Sequence, residues 1–130
     1  MRYLLDTNTC IAVMSRRPAA LQRMAVLSPV DCAISTISGY ELYTGVEKCS
    51  RPAQERAKVE LLLSTVQLLP FDHLAAAEAA RIRAYLEASG QPIGPYDLLL
   101  AGQAIAGGLT LVTANTREFS RVTGLALETW

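Results

Sequence analysis

The stretch that decides the fold is YLLDTNTCIAVM, residues 3–14. It opens with the apolar run Tyr3–Leu5, which predicts a short β-strand that ends at Asp6. The spacing of apolar residues beyond it predicts a helix over Thr7–Arg16, with Asp6 or Thr7 able to cap the first turn. A strand that passes directly into a helix is the start of a βαβ unit, so this segment favours a parallel α/β sheet.

The same alternation of strand and helix continues along the chain. Strands are predicted at Cys32–Ser35, Val66–Leu69, Leu109–Thr113 and Leu125–Glu128. Helices are predicted at Ala19–Leu27, Ser38–Cys49, Pro52–Leu63, Leu74–Ala88 and Pro95–Ala106. The strands are continuous apolar runs, as expected where helices cover both faces of a sheet. We therefore predict one α/β domain over residues 1–130, with a parallel sheet of about five strands flanked by helices on both faces.

Composition limits the class of protein. Hydrophobic residues make up 51% of the 130 residues and charged residues 18%, which excludes a disordered chain. Twelve basic residues balance twelve acidic ones, so any nucleic acid must be bound locally rather than by a global field. No apolar run is long enough to span a bilayer, and Asp6 and Asn8 interrupt any signal peptide. The chain has three cysteines, Cys10, Cys32 and Cys49. Their odd number and wide spacing indicate free thiols in a reducing cytoplasm.

Polar residues follow the predicted strands at their carboxyl ends, where open parallel sheets gather functional groups. The candidates at this edge are Asp6, Glu41, Asp97, Asn115 and Glu118. Asp97 reaches this edge only if two helices follow each other without a strand between them. The Leu74–Ala88 helix must return the chain to the carboxyl edge, and the Pro95–Ala106 helix must then run antiparallel to the strands. Taken singly, each acid also has a structural interpretation, either as a helix cap or as a solvated charge. Their joint placement at one edge favours a shared site.

Several carboxylates in one cleft repel each other unless a cation neutralises them. Mg²⁺ suits such a site, because it prefers a few carboxylates together with water and phosphate oxygens. The sequence has a single histidine and no cysteine–histidine cluster, which disfavours zinc and a nucleophilic triad. It also lacks the glycine-rich phosphate-binding motifs.

Aromatic and basic residues lie beside the proposed acids. Tyr40, Tyr43 and Tyr96 flank them; core packing is the expected role, and stacking on a substrate is the alternative. Arg117 and Arg121 are placed to meet phosphate, with a solvated surface position as the alternative.

Four ordered blocks carry a family resemblance. They are LLDTN at 4–8, YELYTGVEK at 40–48, PIGPYDLLLAG at 92–102 and VTANTREFSRV at 112–122. The chain resembles PIN domains and, more narrowly, the VapC toxins of bacterial type II toxin–antitoxin systems. One block departs from the family pattern, because the usual Thr-Asn-Asn is here Thr113-Ala114-Asn115.

The resemblance implies an endoribonuclease that depends on Mg²⁺ or Mn²⁺. It assigns the catalytic and metal-binding positions to Asp6, Glu41, Asp97 and Glu118, with Asn8, Asn115 and Arg117 expected to contact substrate. In the hypothesis that follows, Asp6 and Asp97 are the principal ligands of one cation, and a metal-activated water attacks the scissile phosphorus. Glu41 and Glu118 then bind through water or hold a second ion.

The resemblance also implies partners. They are a cognate antitoxin that keeps the toxin inactive, a tRNA substrate and a second copy of the chain in a homodimer that assembles further with the antitoxin. Relatives with the PIGPYD block imply initiator tRNA, cut in the anticodon stem-loop. Two alternatives stay open: a non-catalytic PIN-like RNA-binding protein and a receiver-type signalling domain that binds Mg²⁺. The receiver class needs an acidic pair after the first strand and a lysine after a late strand, and the sequence supplies neither.

Overall fold

The sheet has five parallel strands in the spatial order β3-β2-β1-β4-β5, and a computed structural model describes all residues 1–130. The order reverses between β1 and β4, which is the doubly wound arrangement. The prediction of about five parallel strands is confirmed. The strands are β1 Tyr3–Leu5, β2 Cys32–Ser35, β3 Gln67–Leu69, β4 Thr110–Val112 and β5 Leu127–Glu128.

Seven helices connect these strands, and local sequence explains where most of them begin. Proline opens α2, α4 and α6, where the missing N–H costs nothing. Side-chain oxygens of Asp6, Ser35 and Asp72 cap α1, α3 and α5. The helices are α1 Thr7–Met14, α2 Pro18–Val26, α3 Thr36–Lys48, α4 Pro52–Thr65, α5 His73–Ala88, α6 Pro95–Gly107 and α7 Thr116–Phe119.

The core lies in two layers, one on each face of the sheet. Leu4 and Leu111 point into the layer formed by α5, α6 and α7, with Phe119 fully buried in it. Leu5 and Ile34 point into the opposite layer, formed by α1, α3 and α4. Successive residues of a strand thus face opposite layers, as the pleat requires. Helices on both faces of the sheet are confirmed.

Four details differ from the prediction. Helix α1 ends at Met14 rather than at Arg16, because Arg16 adopts a positive φ of 59° that cannot continue a right-handed helix. The four-residue helix α7 is too short to show a periodicity and was not predicted. The edge strand β3 is not covered on both faces, since Gln67 and Leu68 are exposed. The remaining boundaries shift by one or two residues.

Helices α5 and α6 form an antiparallel pair that directs the first turn of α6. Gly102 packs so closely on α5 that a Cβ there would lie 2.5 Å from the Ala79 nitrogen. The next residue, Gln103, donates its side-chain Nε2 to the backbone oxygens of Leu69 and Pro70, both at 3.1 Å. With no strand between the two helices, Asp97 returns to the carboxyl edge of the sheet, as predicted.

Two further expectations concern thiols and membranes. All three cysteines are free, as predicted. None of the helices combines the length and the apolarity that a bilayer crossing requires.

Replacing Gly102 with alanine tests the close approach of α5 and α6. The added methyl group meets backbone rather than a flexible side chain, so we expect Gly102→Ala to lower the free energy of unfolding by about 1–3 kcal/mol. Gly45→Ala is the matched control. Gly45 lies within α3 with open space at its Cβ position, so alanine there should raise the free energy of unfolding by about 0.5–1 kcal/mol. Urea denaturation followed by circular dichroism measures both, and equal stability of the two variants would contradict the packing argument.

Candidate active site

The candidate site lies where the strand order reverses, at the carboxyl ends of β1 and β4. The Asp6 backbone N–H donates to the Val112 oxygen at 3.0 Å, and the Thr9 hydroxyl donates to the same oxygen at 3.0 Å. The first turn of α1 is therefore bonded to the end of β4. This junction holds Asp6 in a nearly buried position, with 5% of its surface exposed.

Asp6 has a structural role and a free oxygen. Its Oδ1 accepts the Thr9 backbone N–H at 2.8 Å, which caps α1. Oδ2 accepts no hydrogen bond from the cap. Both interpretations of Asp6 from the sequence, as a cap and as a site acid, are compatible with this geometry.

Glu41 is oriented by the hydroxyl of Thr7, which the sequence predicted only as a possible helix cap. The Thr7 hydroxyl donates to Glu41 Oε1 at 2.7 Å and lies 3.1 Å from Ser38 Oγ. Thr7 immediately follows Asp6, so α1 and α3 are linked next to the proposed cleft. The sequence could have indicated both residues by their positions, because Thr7 follows Asp6 directly and Ser38 lies one helical turn before Glu41.

Glu118 is oriented by Asn115. The Asn115 side-chain Nδ2 donates to Glu118 Oε2 at 3.1 Å, and the Asn115 backbone N–H donates to the Thr113 hydroxyl at 2.9 Å. Buried Phe119 anchors the short helix α7 that presents Glu118. Asn115 therefore supports an acid; its expected contact with substrate stays a prediction.

Asp97 links the acids electrostatically. Burial is the largest cause that raises the pKa of Asp97 from its ordinary value of 3.8 to about 6. The rest of this rise in pKa comes from a hydrogen bond with Glu118 and the charge of Glu118, followed by the charges of Asp6 and then Glu41. The side chain packs over Gly94, where a Cβ would lie 3.3 Å from Asp97 Oδ2. The three other acids thus all act on Asp97 at one edge of the sheet.

The donor set fits a hard divalent cation held partly through water. No three histidine, cysteine or acidic side chains lie close enough together to hold a metal ion directly. Two of the carboxylates instead turn toward Thr7 and Asn115. Mg²⁺ does not need a closed cage, because it keeps several waters and takes one or two carboxylates directly. The all-oxygen donors and the raised pKa of Asp97 match such a site.

The remaining predicted residues lie around this cluster. Asn8 is exposed and lines a shallow cavity with Ala114 and Trp130. Arg117 is exposed on α7. No bond from either residue to the acids is present, and their contacts with substrate stay predictions.

The tyrosines beside the acids divide into two kinds. Tyr43 packs against the core, as expected. For Tyr40 and Tyr96 core packing is wrong, since 56% and 40% of their surfaces are exposed. Their hydroxyls are 3.3 Å apart, and this hydrogen bond is the largest cause that raises the pKa of Tyr96.

Two grooves lie near the acids. The larger, about 610 Å³, runs between α5 and α6 and contains none of the four acids. A smaller groove of about 230 Å³ lies between α1, α3 and α4. Its lining includes Ile11, Met14 and Leu42, and Glu41 forms part of its wall.

Comparison with known proteins gives consistent results. The family model of the PIN domain matches residues 3–125. The chain is 39% identical to a tRNA(fMet)-specific endonuclease VapC of Shigella flexneri, covering 100% of this chain and 98% of that protein. It is 37% identical to ribonuclease VapC2 of Haemophilus influenzae, again covering 100% of this chain and 98% of that protein.

Solved structures agree with the sequence matches. DNA-bound VapBC from Salmonella typhimurium matches with a TM-score of 0.94 and 39% identity, covering 100% of this chain and 98% of that chain. VapBC2 from Rickettsia felis, bound to a promoter DNA fragment, matches with a TM-score of 0.93 and 35% identity, covering 100% of this chain and 99% of that chain.

The raised pKa of Asp97 predicts a pH-dependent effect of Asp97→Asn on stability. A folded state that holds the proton more tightly than the unfolded chain loses stability as the pH rises through about 6. Asparagine does not ionise, so in EDTA the variant should melt above the parent protein near pH 8. The difference should shrink as the pH falls through 6 and disappear only below about 3.8, where Asp97 is protonated in the unfolded chain as well as in the folded protein.

The measurement is the melting temperature by differential scanning fluorimetry across this range. Glu60→Gln serves as the control, because Glu60 is exposed on α4 and forms no ion pair. A difference between Asp97→Asn and the parent that does not change with pH would contradict the assignment.

Proposed function

This chain belongs to the PIN domain family, and within it to the VapC endoribonucleases, and from that premise we propose that Asp6, Glu41, Asp97 and Glu118 form its catalytic centre. The observation that carries the proposal is the raised pKa of Asp97, to which the other three acids all contribute. These acids come from four different elements, and no structural need of the fold explains why their charges should meet. Membership of the family removes the receiver-type alternative.

The proposed cofactor is Mg²⁺ or Mn²⁺, with Asp6 and Asp97 as its principal ligands. When bound, the cation supplies a water of lowered pKa and stabilises negative charge on the phosphodiester in an in-line displacement. Glu41 and Glu118 act through water or at a second ion. The all-oxygen character of the four side chains supports a hard cation.

The protein's own contribution is to hold these oxygens in place before substrate arrives. The α1 cap fixes Asp6, the Thr7 hydroxyl fixes Glu41, and the Asn115 amide fixes Glu118. Asp97 is the acid that must lose its proton for the centre to carry full charge, and its pKa of about 6 makes this complete near neutral pH. We therefore expect the centre to work best above pH 6.

The proposed substrate is tRNA, and initiator tRNA in particular. The Shigella relative is named for tRNA(fMet), and its similarity covers the whole of this chain. Asn8 and Arg117 are proposed to contact the RNA backbone, because both are exposed next to elements that carry the acids. The protein is proposed to act in the cytoplasm, where tRNA is found.

The partner is an antitoxin, since the similar solved structures are VapBC complexes. We propose that an antitoxin segment occupies the groove between α1, α3 and α4. Ile11 offers an exposed apolar anchor there, and the wall of the groove includes Glu41, so an occupant would cover part of the acidic cluster. A homodimer of this chain, within a larger assembly with the antitoxin, stays part of the proposal.

Replacing Asp6 with asparagine tests the catalytic centre. Asparagine caps a helix about as well as aspartate, so Asp6→Asn removes the charge and keeps α1. We expect cleavage of an initiator tRNA transcript to fall by at least about 100-fold. EDTA should abolish cleavage by the parent protein, and added Mg²⁺ or Mn²⁺ should restore it.

The controls separate substrate, fold and catalysis. Glu60→Gln should cleave like the parent, and elongator methionine tRNA should be cut more slowly than initiator tRNA. An unchanged circular dichroism spectrum shows that Asp6→Asn remains folded. Cleavage by the parent in EDTA would exclude the metal centre, and a parent that binds tRNA without cutting it would favour the non-catalytic alternative.

Replacing Ile11 with aspartate tests the proposed antitoxin groove. A charge at the centre of an apolar contact should weaken antitoxin binding by at least about tenfold, measured by isothermal titration calorimetry. Cleavage of tRNA should persist, because Ile11 is not one of the acids. Val26→Asp is the matched control, since Val26 is an exposed apolar residue on α2 outside the groove. Equal losses in both variants would exclude this groove as the binding site.

A further inference from the structure

An exposed aromatic pair stands at the rim of the acidic cluster. Tyr40 precedes Glu41 on α3, and Tyr96 precedes Asp97 in the first turn of α6. The two rings lie 5.7 Å apart between centroids with a tilt of 58°, and their hydroxyls are hydrogen-bonded at 3.3 Å. Each ring is thus positioned by the other rather than by the core.

From this geometry we propose that Tyr40 and Tyr96 form a stacking platform for an unpaired base of the RNA, next to the phosphodiester to be cut. The proposal rests on the proposed endoribonuclease function and adds a binding element to it. Every nucleobase has a π-face that can stack on an exposed tyrosine, and enzymes that act on single-stranded RNA commonly use this interaction.

The charge of the protein explains why such a platform is needed. The chain carries no net charge, and the site itself collects four carboxylates, which repel the RNA backbone. Arg121, at the same edge, is already bonded to the Pro92 oxygen at 3.0 Å. Beside Arg117 and the cation, uncharged surface can add binding energy that does not depend on charge, and the tyrosine pair offers exposed aromatic surface adjacent to the acids.

The two rings are arranged to bind a base, not to pack in the core of the protein. Much of the surface of both residues is exposed, 56% for Tyr40 and 40% for Tyr96, and the shared hydrogen bond restrains both rings before substrate arrives. Each of the two helices carries one ring and, at the next residue, one acid: Glu41 follows Tyr40, and Asp97 follows Tyr96. A base held on the platform would therefore lie close to both acids. The platform would set which phosphodiester enters the centre.

Leucine and phenylalanine substitutions at both positions test the platform. Leucine keeps apolar volume but has no π-face, whereas phenylalanine keeps the ring and loses the hydroxyl. With the initiator tRNA transcript and saturating Mg²⁺, Tyr40→Leu and Tyr96→Leu should each lower kcat/KM by roughly 5- to 150-fold, mainly through KM. The phenylalanine variants should stay within about threefold of the parent. Tyr85→Leu is the matched control, because Tyr85 is 58% exposed on α5 beside Val122.

A second measurement detects stacking without cleavage. Initiator tRNA with 2-aminopurine at an unpaired anticodon-loop position is mixed with the protein in EDTA. The parent and the phenylalanine variants should quench the fluorescence, and the leucine variants should not.

The outcomes separate this proposal from the function on which it rests. If the parent does not cleave tRNA, the proposed function fails. If the parent cleaves and the leucine variants match it in KM and in quenching, the platform alone is overturned. If the leucine variants instead change the oligomer mass in light scattering or the affinity for antitoxin, with cleavage intact, the pair is a protein interface and the proposal is also overturned.

Discussion

The structure depends on the parallel pairing of β1 with β4 at the point where the strand order reverses. Tyr3, Leu4 and Leu5 pair with Thr110, Leu111 and Val112, and the ladder continues through the Asp6 N–H bonded to the Val112 oxygen. This pairing brings together chain segments more than a hundred residues apart in sequence. It leaves the first acid beside the loop that leads to Glu118. Every other feature of the site is arranged around this junction.

The site opposes the stability of the fold that supports it. Burial of Asp97, together with repulsion from the neighbouring acids, disfavours its charged form in the folded state at neutral pH, and the raised pKa of Asp97 reflects this cost. The fold compensates locally, because the acids also serve or contact structural groups. Asp6 caps a helix, and Glu41 accepts the Thr7 hydroxyl. A cation would remove the repulsion, so the same charges that weaken the free protein provide the affinity for metal.

Much of the fold could be predicted from short-range patterns. The apolar runs located all five strands, and proline or a capping residue marked the start of most helices. The carboxyl-edge rule then placed Asp6 and Glu118 together. Asp97 was less accessible, because its position depends on the antiparallel packing of α5 and α6, where Gly102 admits the Ala79 backbone. That contact has no periodic signal in the sequence.

Contacts between distant side chains could not be predicted at all. The bond of Thr7 to Glu41 joins residues 34 apart, and that of Tyr96 to Tyr40 joins residues 56 apart. Each depends on how two helices rotate against the sheet, which composition and spacing leave open. In the proposed function these contacts divide the site into two parts, because the acids act on the phosphodiester and the tyrosine pair binds a base. In that proposal a substitution at the rim alters RNA binding without disturbing the junction of β1 and β4.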